Sequence, residues 1–390
     1  MTSRDDIMER ARAMVPVLRE RAQDTERLRR LPEETHGDFL EAGFYRVLQP
    51  AAFGGLELDF GTQTELAVEL GAGCGSSAWV ASVIACHGWL VGMFSPETQE
   101  EVWGADSNVA VASSFLPFGP DIQRVKGGVR VSGRWGFSSG VDLCRWIFVT
   151  MDLDAEDGGD GKDPVFALLP LEDCTIEDTW RTTGLAGTGS NTVLIEDQFI
   201  PDHRLLPMMD LRGGPTPGSA ANPGYLYQLP QRATFSFNLI GTAIGAARGA
   251  IETAIDQLIR RNTVGGAKLA ELSSVQYRIA EAEAELAAAY ALMARNRDEI
   301  IADGKSATLP TIEARARYRR DNAYCAKLCV QAVDRIYPIM GGRGIAADNA
   351  VNRAWRDVHA VSHHISMSWD VQAGASGALS VGLPNNDKML

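Results

Sequence analysis

The sequence predicts an α+β protein in three consecutive parts: an all-helical N-terminal domain, a middle β domain and a C-terminal four-helix bundle. Three observations carry that expectation. A chain of 390 residues is too long for one ordinary core. Apolar residues recur at helical spacing through roughly the first hundred residues and again from about residue 235, with charge on the opposite faces. Between them, from near Asn108, the pattern changes to short alternating runs split by Gly, Pro and Asp, which is strand patterning. The expected boundaries are 1–106, 107–212 and 213–390.

Taken in order, "RDDIMERARAMVPVLRERAQDTERLRRL" sets Ile7, Ala11, Met14, Val15 and Leu18 on one helical face. "LPEETHGDFLEAGFYRVLQP" is a second, shorter helix, stopped by Gly43 and closed by Pro50. The stretch from Gly61 to Phe94 is so small and apolar that at least one helix in it must be buried on most sides. In the middle part "VKGGVRV" predicts a hairpin, and Asp154 to Pro164 an acidic, glycine-rich surface loop. Asp210 to Gly224 has linker composition. Four helices are then expected: Phe235 to Asn262, Ser273 to Ala302, Thr311 to Tyr337, and Asn349 to about Ala373. Gly241, Gly245 and Gly249 share one face of the first, for close packing or for a ligand lying along it.

Charge and composition exclude several classes. The net charge is −13 and the basic residues are scattered, which argues against a nucleic-acid partner. The first residues lack the basic lead and apolar core of an export signal. The longest uncharged apolar run, Ala233 to Ala247, falls short of the ~20 residues of a membrane span, so a cytoplasmic protein without membrane contact is expected. Six cysteines form no CxxC pair; Cys325 and Cys329, one helical turn apart, read as core residues before they read as ligands. His359 and His363 could share a helix face, and Glu33 with His36 makes one Glu-x-x-His. A di-iron bundle needs a second such motif, which is missing, so no metal is expected.

Particular stretches add a resemblance that spans nearly the whole chain. "GRWGFSSGVDLCRWIFV" is similar to the flavin-facing strand of the acyl-CoA dehydrogenase superfamily, in which an aromatic, here Phe137, precedes a hydroxyl residue, here Ser139, by two positions. Ser138 takes that role if the register slips by one. "RRNTVGG" resembles the superfamily's flavin-phosphate motif, with Arg261 and Gly265 matching and Val264 replacing an aromatic. "IMGGRG", with Gly341, Gly342 and Gly344, resembles the glycine loop that reaches a neighbouring subunit's flavin in a tetramer, and Arg353, Arg356 and Asp357 match the stretch after it. The resemblance implies an acyl-CoA dehydrogenase-like fold with a β-barrel middle domain, and a homotetramer.

One departure is informative. Where many dehydrogenases of this superfamily keep a catalytic glutamate, this chain reads "HAVSHHISMS", with no Asp or Glu between Asp357 and Asp370. A carboxylate is needed there to remove an α-proton as hydride leaves, so a dehydrogenase is disfavoured unless the base has moved. Histidine in this region, "GLAGTGSNTVLIEDQFIPD", and "ACHGWLVGMF" around His87 instead resemble the oxygenase components of two-component flavin monooxygenases.

That branch implies reduced flavin from a separate flavin reductase (FMNH2 ahead of FADH2), O2 as co-substrate, a C4a-hydroperoxide of the flavin, and hydroxylation of a small aromatic, phenolic substrate. Oxygenation at nitrogen or sulfur is the alternative. No nicotinamide fingerprint is present, in keeping with an external electron source. The resemblance assigns Ser139 to flavin N5, His364 to the flavin's reactive edge as proton donor, and His87 to the substrate. It assigns Phe137, Ser138, Ser139, Arg261, Gly341, Gly342 and Gly344 to the cofactor. An imidazole near its ordinary pKa of ~6.5 would suit the acceptance of a phenol proton.

Overall fold

The computed structural model describes residues 2–154 and 162–390; most of the acidic loop expected from Asp154 to Pro164 lies outside them. The chain opens with five helices: α1 (Arg4–Leu28), α2 (Glu33–Ala42), α3 (Phe60–Gly71), α4 (Gly75–Val91) and α5 (Pro96–Trp103). A capping box starts α1, Ser3 and Asp6 each taking the other's backbone N–H. Ile7, Ala11 and Leu18 face the core, while Met14 and Val15 are half-buried. Gly43 ends α2 in the left-handed conformation, φ +79°, where a side chain would be strained. Every residue of α4 is buried, which is why its sequence has no polar face.

Eight strands follow: β1 (Val111–Ser114), β2 (Leu116–Val125), β3 (Gly128–Ser138), β4 (Trp146–Asp154), β5 (Lys162–Pro170), β6 (Cys174–Glu177), β7 (Asn191–Pro201) and β8 (Leu205–Pro207). They form two four-stranded sheets, ordered β1-β4-β5-β8 and β2-β3-β7-β6, antiparallel except for β1 beside β4. Val129, Val131, Trp135, Ile147, Val149, Val165, Val193 and Ile195 fill the space between them. The chain crosses from one sheet to the other at Phe115. The predicted hairpin is β2–β3: Val125 pairs with Gly128 across a two-residue turn that needs Gly127 at φ +82°.

The helical part runs α6 (Gln231–Thr234), α7 (Ser236–Ile259), α8 (Ser273–Lys305), α9 (Ile312–Ile336), α10 (Ala350–Ser362) and α11 (Trp369–Ser380). The glycine face of α7 is a packing seam against α3. A Cβ on Gly245 would stand 2.3 Å from the Val68 carbonyl oxygen, and one on Gly249 2.5 Å from that of Ala72. Cys325 and Cys329 are buried, unpaired thiols in the bundle.

The fourth predicted helix is broken. Its C-terminal half turns at residues 363–368, so His363 and His364 stand between α10 and α11 rather than on a continuous helix. The reason is local competition for backbone groups. Ser362 Oγ donates to the His359 carbonyl, Gln372 Nε2 donates to that of Ile365, and the Ser366 N–H donates to the His364 ring. Buried Met367 anchors the turn. No helix among the described residues is long and apolar enough to cross a membrane.

Candidate active site

Ser139, in the turn just after β3, and His364, in the turn after α10, are 225 positions apart in sequence yet meet around one side chain, Trp79 of α4. The Trp79 indole N–H donates to Ser139 Oγ at 3.0 Å. The same indole packs edge-to-face on the His364 imidazole, ring centres 5.5 Å apart. Ser139 is partly exposed, whereas Ser138 is fully buried and its hydroxyl has no partner among the described residues.

His364 Nδ1 accepts the Ser366 N–H at 3.2 Å, so in the neutral ring the proton sits on Nε2. No partner for Nε2 is found among the described residues, which leaves a donor available. Burial lowers the His364 pKa to about 4, so the ring is neutral throughout the physiological range. Phe235 lies on its other side, ring centres 6.5 Å apart.

Phe137 precedes this cluster in an unusual state. It holds φ +62°, costly for a bulky residue, and is 60% exposed, with an edge contact to Trp180 at 5.9 Å. The strain comes with an irregularity in the β3–β7 register between Trp135 and Ser138.

His87, on α4, differs from His364 in being fully bonded. Its Nδ1–H donates to the Val111 carbonyl at 2.7 Å, and Nε2 accepts from Ser113 Oγ at 2.8 Å. Burial brings its pKa down to about 4 against the opposing effect of the Val111 bond. The ordinary imidazole pKa assumed from sequence therefore applies to neither histidine, because both lie in apolar surroundings. His87 faces the edge of Phe148, which continues through Phe115 to Phe235 and so to His364. An aromatic wall thus joins the two histidines.

The remaining predicted residues gather elsewhere. Arg261 donates to the Met340 carbonyl at 3.1 Å, immediately before the glycine loop. Gly341 has φ +60° and ψ −154°, a conformation for glycine alone, and neither it nor Gly342 has an atom within 4 Å of a built Cβ. Gly344 is different: its Cβ would stand 2.8 Å from Met340 Cβ, so its size is set by the loop itself. No hydrogen bond or ring contact joins this group to the Trp79 cluster among the described residues. His359 bonds Asp334 through Nε2 at 3.0 Å, while His363 Nδ1–H donates to the His359 carbonyl, so the two imidazoles do not converge. Among the described residues no three His, Cys, Asp or Glu groups are placed to hold a metal.

Sequence reasoning assigned no role to Trp79, Thr188, Ser190 or Asp357. Asp357, the one carboxylate of α10, is buried, and burial raises its pKa to about 6 even though it accepts the Leu185 N–H at 2.6 Å. That bond holds Leu185 in the left-handed region, φ +50°. The available signal for Trp79 was its place two helical turns before His87; that for Thr188 and Ser190 was the Gly-Thr-Gly-Ser run.

An N-terminal helical layer, paired sheets and a helical bundle define an acyl-CoA dehydrogenase-type scaffold. Residues 3–106 match the acyl-CoA dehydrogenase N-terminal domain and residues 239–369 the acyl-CoA dehydrogenase C-terminal domain. The flavin-dependent monooxygenase oxygenase subunit HsaA of Rhodococcus jostii (strain RHA1) is 34% identical, covering 98% of this chain and 100% of that protein. The oxygenase component of the FADH2-dependent resorcinol hydroxylase of Rhizobium sp. (strain MTP-10005) is 33% identical, covering 96% and 93%. The crystal structure of 3-HSA hydroxylase from Rhodococcus sp. RHA1 superposes with a TM-score of 0.92 at 33% identity over the full length of both chains. The chain belongs to the flavin-dependent monooxygenase oxygenase components, enzymes that work with a partner flavin reductase.

Proposed function

We propose that this enzyme hydroxylates a small phenolic compound, using O2 and reduced flavin supplied by a separate reductase, and that it acts as a homotetramer. The observation that supports this best is the meeting of Ser139 and His364 on Trp79, which brings a hydroxyl and an imidazole to one indole. The residues fit a flavin: Phe137 offers an exposed ring on a strained backbone, Ser139 is partly open, and Gly341 and Gly342 leave backbone uncovered. The flavin, when bound, supplies the activation of O2. Ser139 would orient it at N5, with Ser138 buried behind; Arg261 and Gly341, Gly342 and Gly344 would serve its phosphates, the glycine loop those of a neighbouring copy. His364 Nε2–H would donate a proton or hydrogen bond at the reacting edge, with Trp79 and Phe235 keeping water away.

The aromatic wall of Phe115, Phe148 and Phe235 suits a flat substrate. His87 would act on it through Ser113, whose hydroxyl proton points to His87 and whose oxygen can accept from a phenol. With its pKa near 4, His87 would polarise a phenol rather than take its proton outright. Between the flavins, the name of the resorcinol hydroxylase gives weight to FADH2 over the FMNH2 expected from sequence.

The test is to mix the purified protein with anaerobically reduced FAD or FMN, a panel of phenols, and air-saturated buffer. Hydroxylated phenol should form, more of it per flavin with FAD, and Ser139→Ala should shift the yield toward H2O2 by about tenfold. H2O2 alone with every phenol, or reduction of bound flavin by an acyl-CoA, overturns the reading.

A further inference from the structure

Ser139 belongs to a chain of hydroxyl groups whose direction follows from counting their protons. Ser139 Oγ and Ser190 Oγ are 2.7 Å apart, Ser190 Oγ and Thr188 Oγ1 are 2.7 Å apart, and Thr188 Oγ1 is 2.9 Å from the Leu185 carbonyl oxygen. Three short oxygen–oxygen contacts share three hydroxyl protons, and the last oxygen can only accept. One arrangement puts a proton in every contact: Thr188 donates to Leu185, Ser190 donates to Thr188, and Ser139 donates to Ser190. Reversing any link leaves two lone pairs facing each other at hydrogen-bond distance in a buried site.

The far end is anchored. The Leu185 carbonyl also accepts the Trp180 indole N–H at 2.9 Å and the Thr188 backbone N–H at 3.1 Å, and the Leu185 N–H is held by Asp357. At the near end Trp79 already donates to Ser139. Ser139 therefore has its proton committed to Ser190 and only acceptor capacity left for a newcomer.

We infer that Ser190 and Thr188 are positioning residues that make Ser139 an obligate hydrogen-bond acceptor, so that the site selects reduced over oxidised flavin. The inference rests on the proposed placement of Ser139 at flavin N5. Reduced flavin carries a hydrogen on N5 and can donate to Ser139. Oxidised flavin presents a bare lone pair there, and Ser139 has no proton to offer it. Selection of this kind keeps the oxygenase from being occupied by spent cofactor, using two hydroxyls that need not touch the flavin.

The experiment measures dissociation constants for reduced flavin (anaerobic titration) and oxidised flavin (fluorescence quenching) and takes their ratio. Ser190→Ala releases the Ser139 proton, so oxidised flavin should bind more tightly and the preference for reduced flavin should fall about tenfold, the size of one hydrogen bond gained. Thr188→Val, which frees the Ser190 proton to turn toward Ser139, should lower the ratio in the same direction. Ser190→Thr keeps the hydroxyl and should keep the ratio. Trp79→Phe removes a donor to Ser139 without redirecting its proton, so both affinities should change while the ratio persists. If Ser190→Ala and Thr188→Val, shown folded by circular dichroism, keep the wild-type ratio within twofold, the inference is overturned. If the wild-type protein binds neither flavin, it is the proposed function that fails.

Discussion

Around Trp79, Ser139, Ser190, Thr188 and the Leu185 carbonyl are bonded to one another without any ligand, whereas the Arg261–Met340 corner leaves Gly341 and Gly342 uncovered by their own chain. The first region is closed by contacts among α4, β3, the loop before β7 and the turn after α10. The second is a bent backbone with open space in front of it. Catalytic groups must be held before the substrate arrives, because fixing them during the reaction would cost entropy at the barrier. A corner serving as proposed, for a phosphate or a second copy, needs only backbone that can be approached. The two regions should therefore respond differently to substitution, and measurements on five variants separate them.

The largest effect is expected at His364. His364→Ala should lower product formed per flavin consumed by on the order of a hundredfold, with H2O2 accounting for the difference, because it removes the imidazole N–H proposed as the proton donor beside Trp79. Unchanged coupling would place the proton donor elsewhere.

Next comes the buried His87, through pH. Its folded pKa, about 4, lies below the ordinary ~6.5, so the unfolded chain takes up the proton first as pH falls. Stability is lost from about pH 6.5 down to about pH 4 and is unaffected by this group above that window. Between pH 7 and pH 4.5 the loss attributable to His87 is about 2 kcal/mol. Urea unfolding of His87→Gln should lose that much less over the same interval than the wild type; an equal loss in both would mean that His87 is not buried neutral.

At the open corner, Arg261→Ala should weaken reduced-flavin affinity by about tenfold, the scale of a lost charged contact, and leave product per H2O2 unchanged once flavin saturates. A change in coupling instead would merge the two regions. The smallest effect on folding should come from Gly342→Ala, which meets nothing in its own chain. Its melting temperature should stay within a few degrees of wild type while flavin affinity or subunit association falls. Gly344→Ala, against Met340, should cost about 1–3 kcal/mol of stability.

Legibility from sequence followed the same division. The bend at Gly341 was legible as a short glycine run, since a bent backbone is encoded within a few residues, whereas Arg261 beside it was singled out by resemblance. Ser139 and His364 could be found by resemblance, but not the fact that they meet. Trp79 supplies that meeting, and nothing in the α4 sequence distinguishes its indole from that of Trp89, which bonds the Leu226 carbonyl instead. The last predicted helix failed for a related reason: apolar spacing continues through "SHHISMSW", while the serine, histidine and glutamine side chains that end it act through bonds that periodicity does not report.

By itself the sequence determined the order of helices, strands and helices, the burial of α4 and the hairpin at Gly127. These are properties of local pattern and residue type. Only the tertiary structure decided that both ring nitrogens of His87 are bonded, that the glycine face of α7 is a seam, and that the hydroxyls of Ser139, Ser190 and Thr188 meet in one chain ending at the Leu185 carbonyl. Those depend on atoms brought within 3 Å of each other from positions 79, 139, 190 and 364 or within ring contact. Packing, and not sequence spacing, sets such distances.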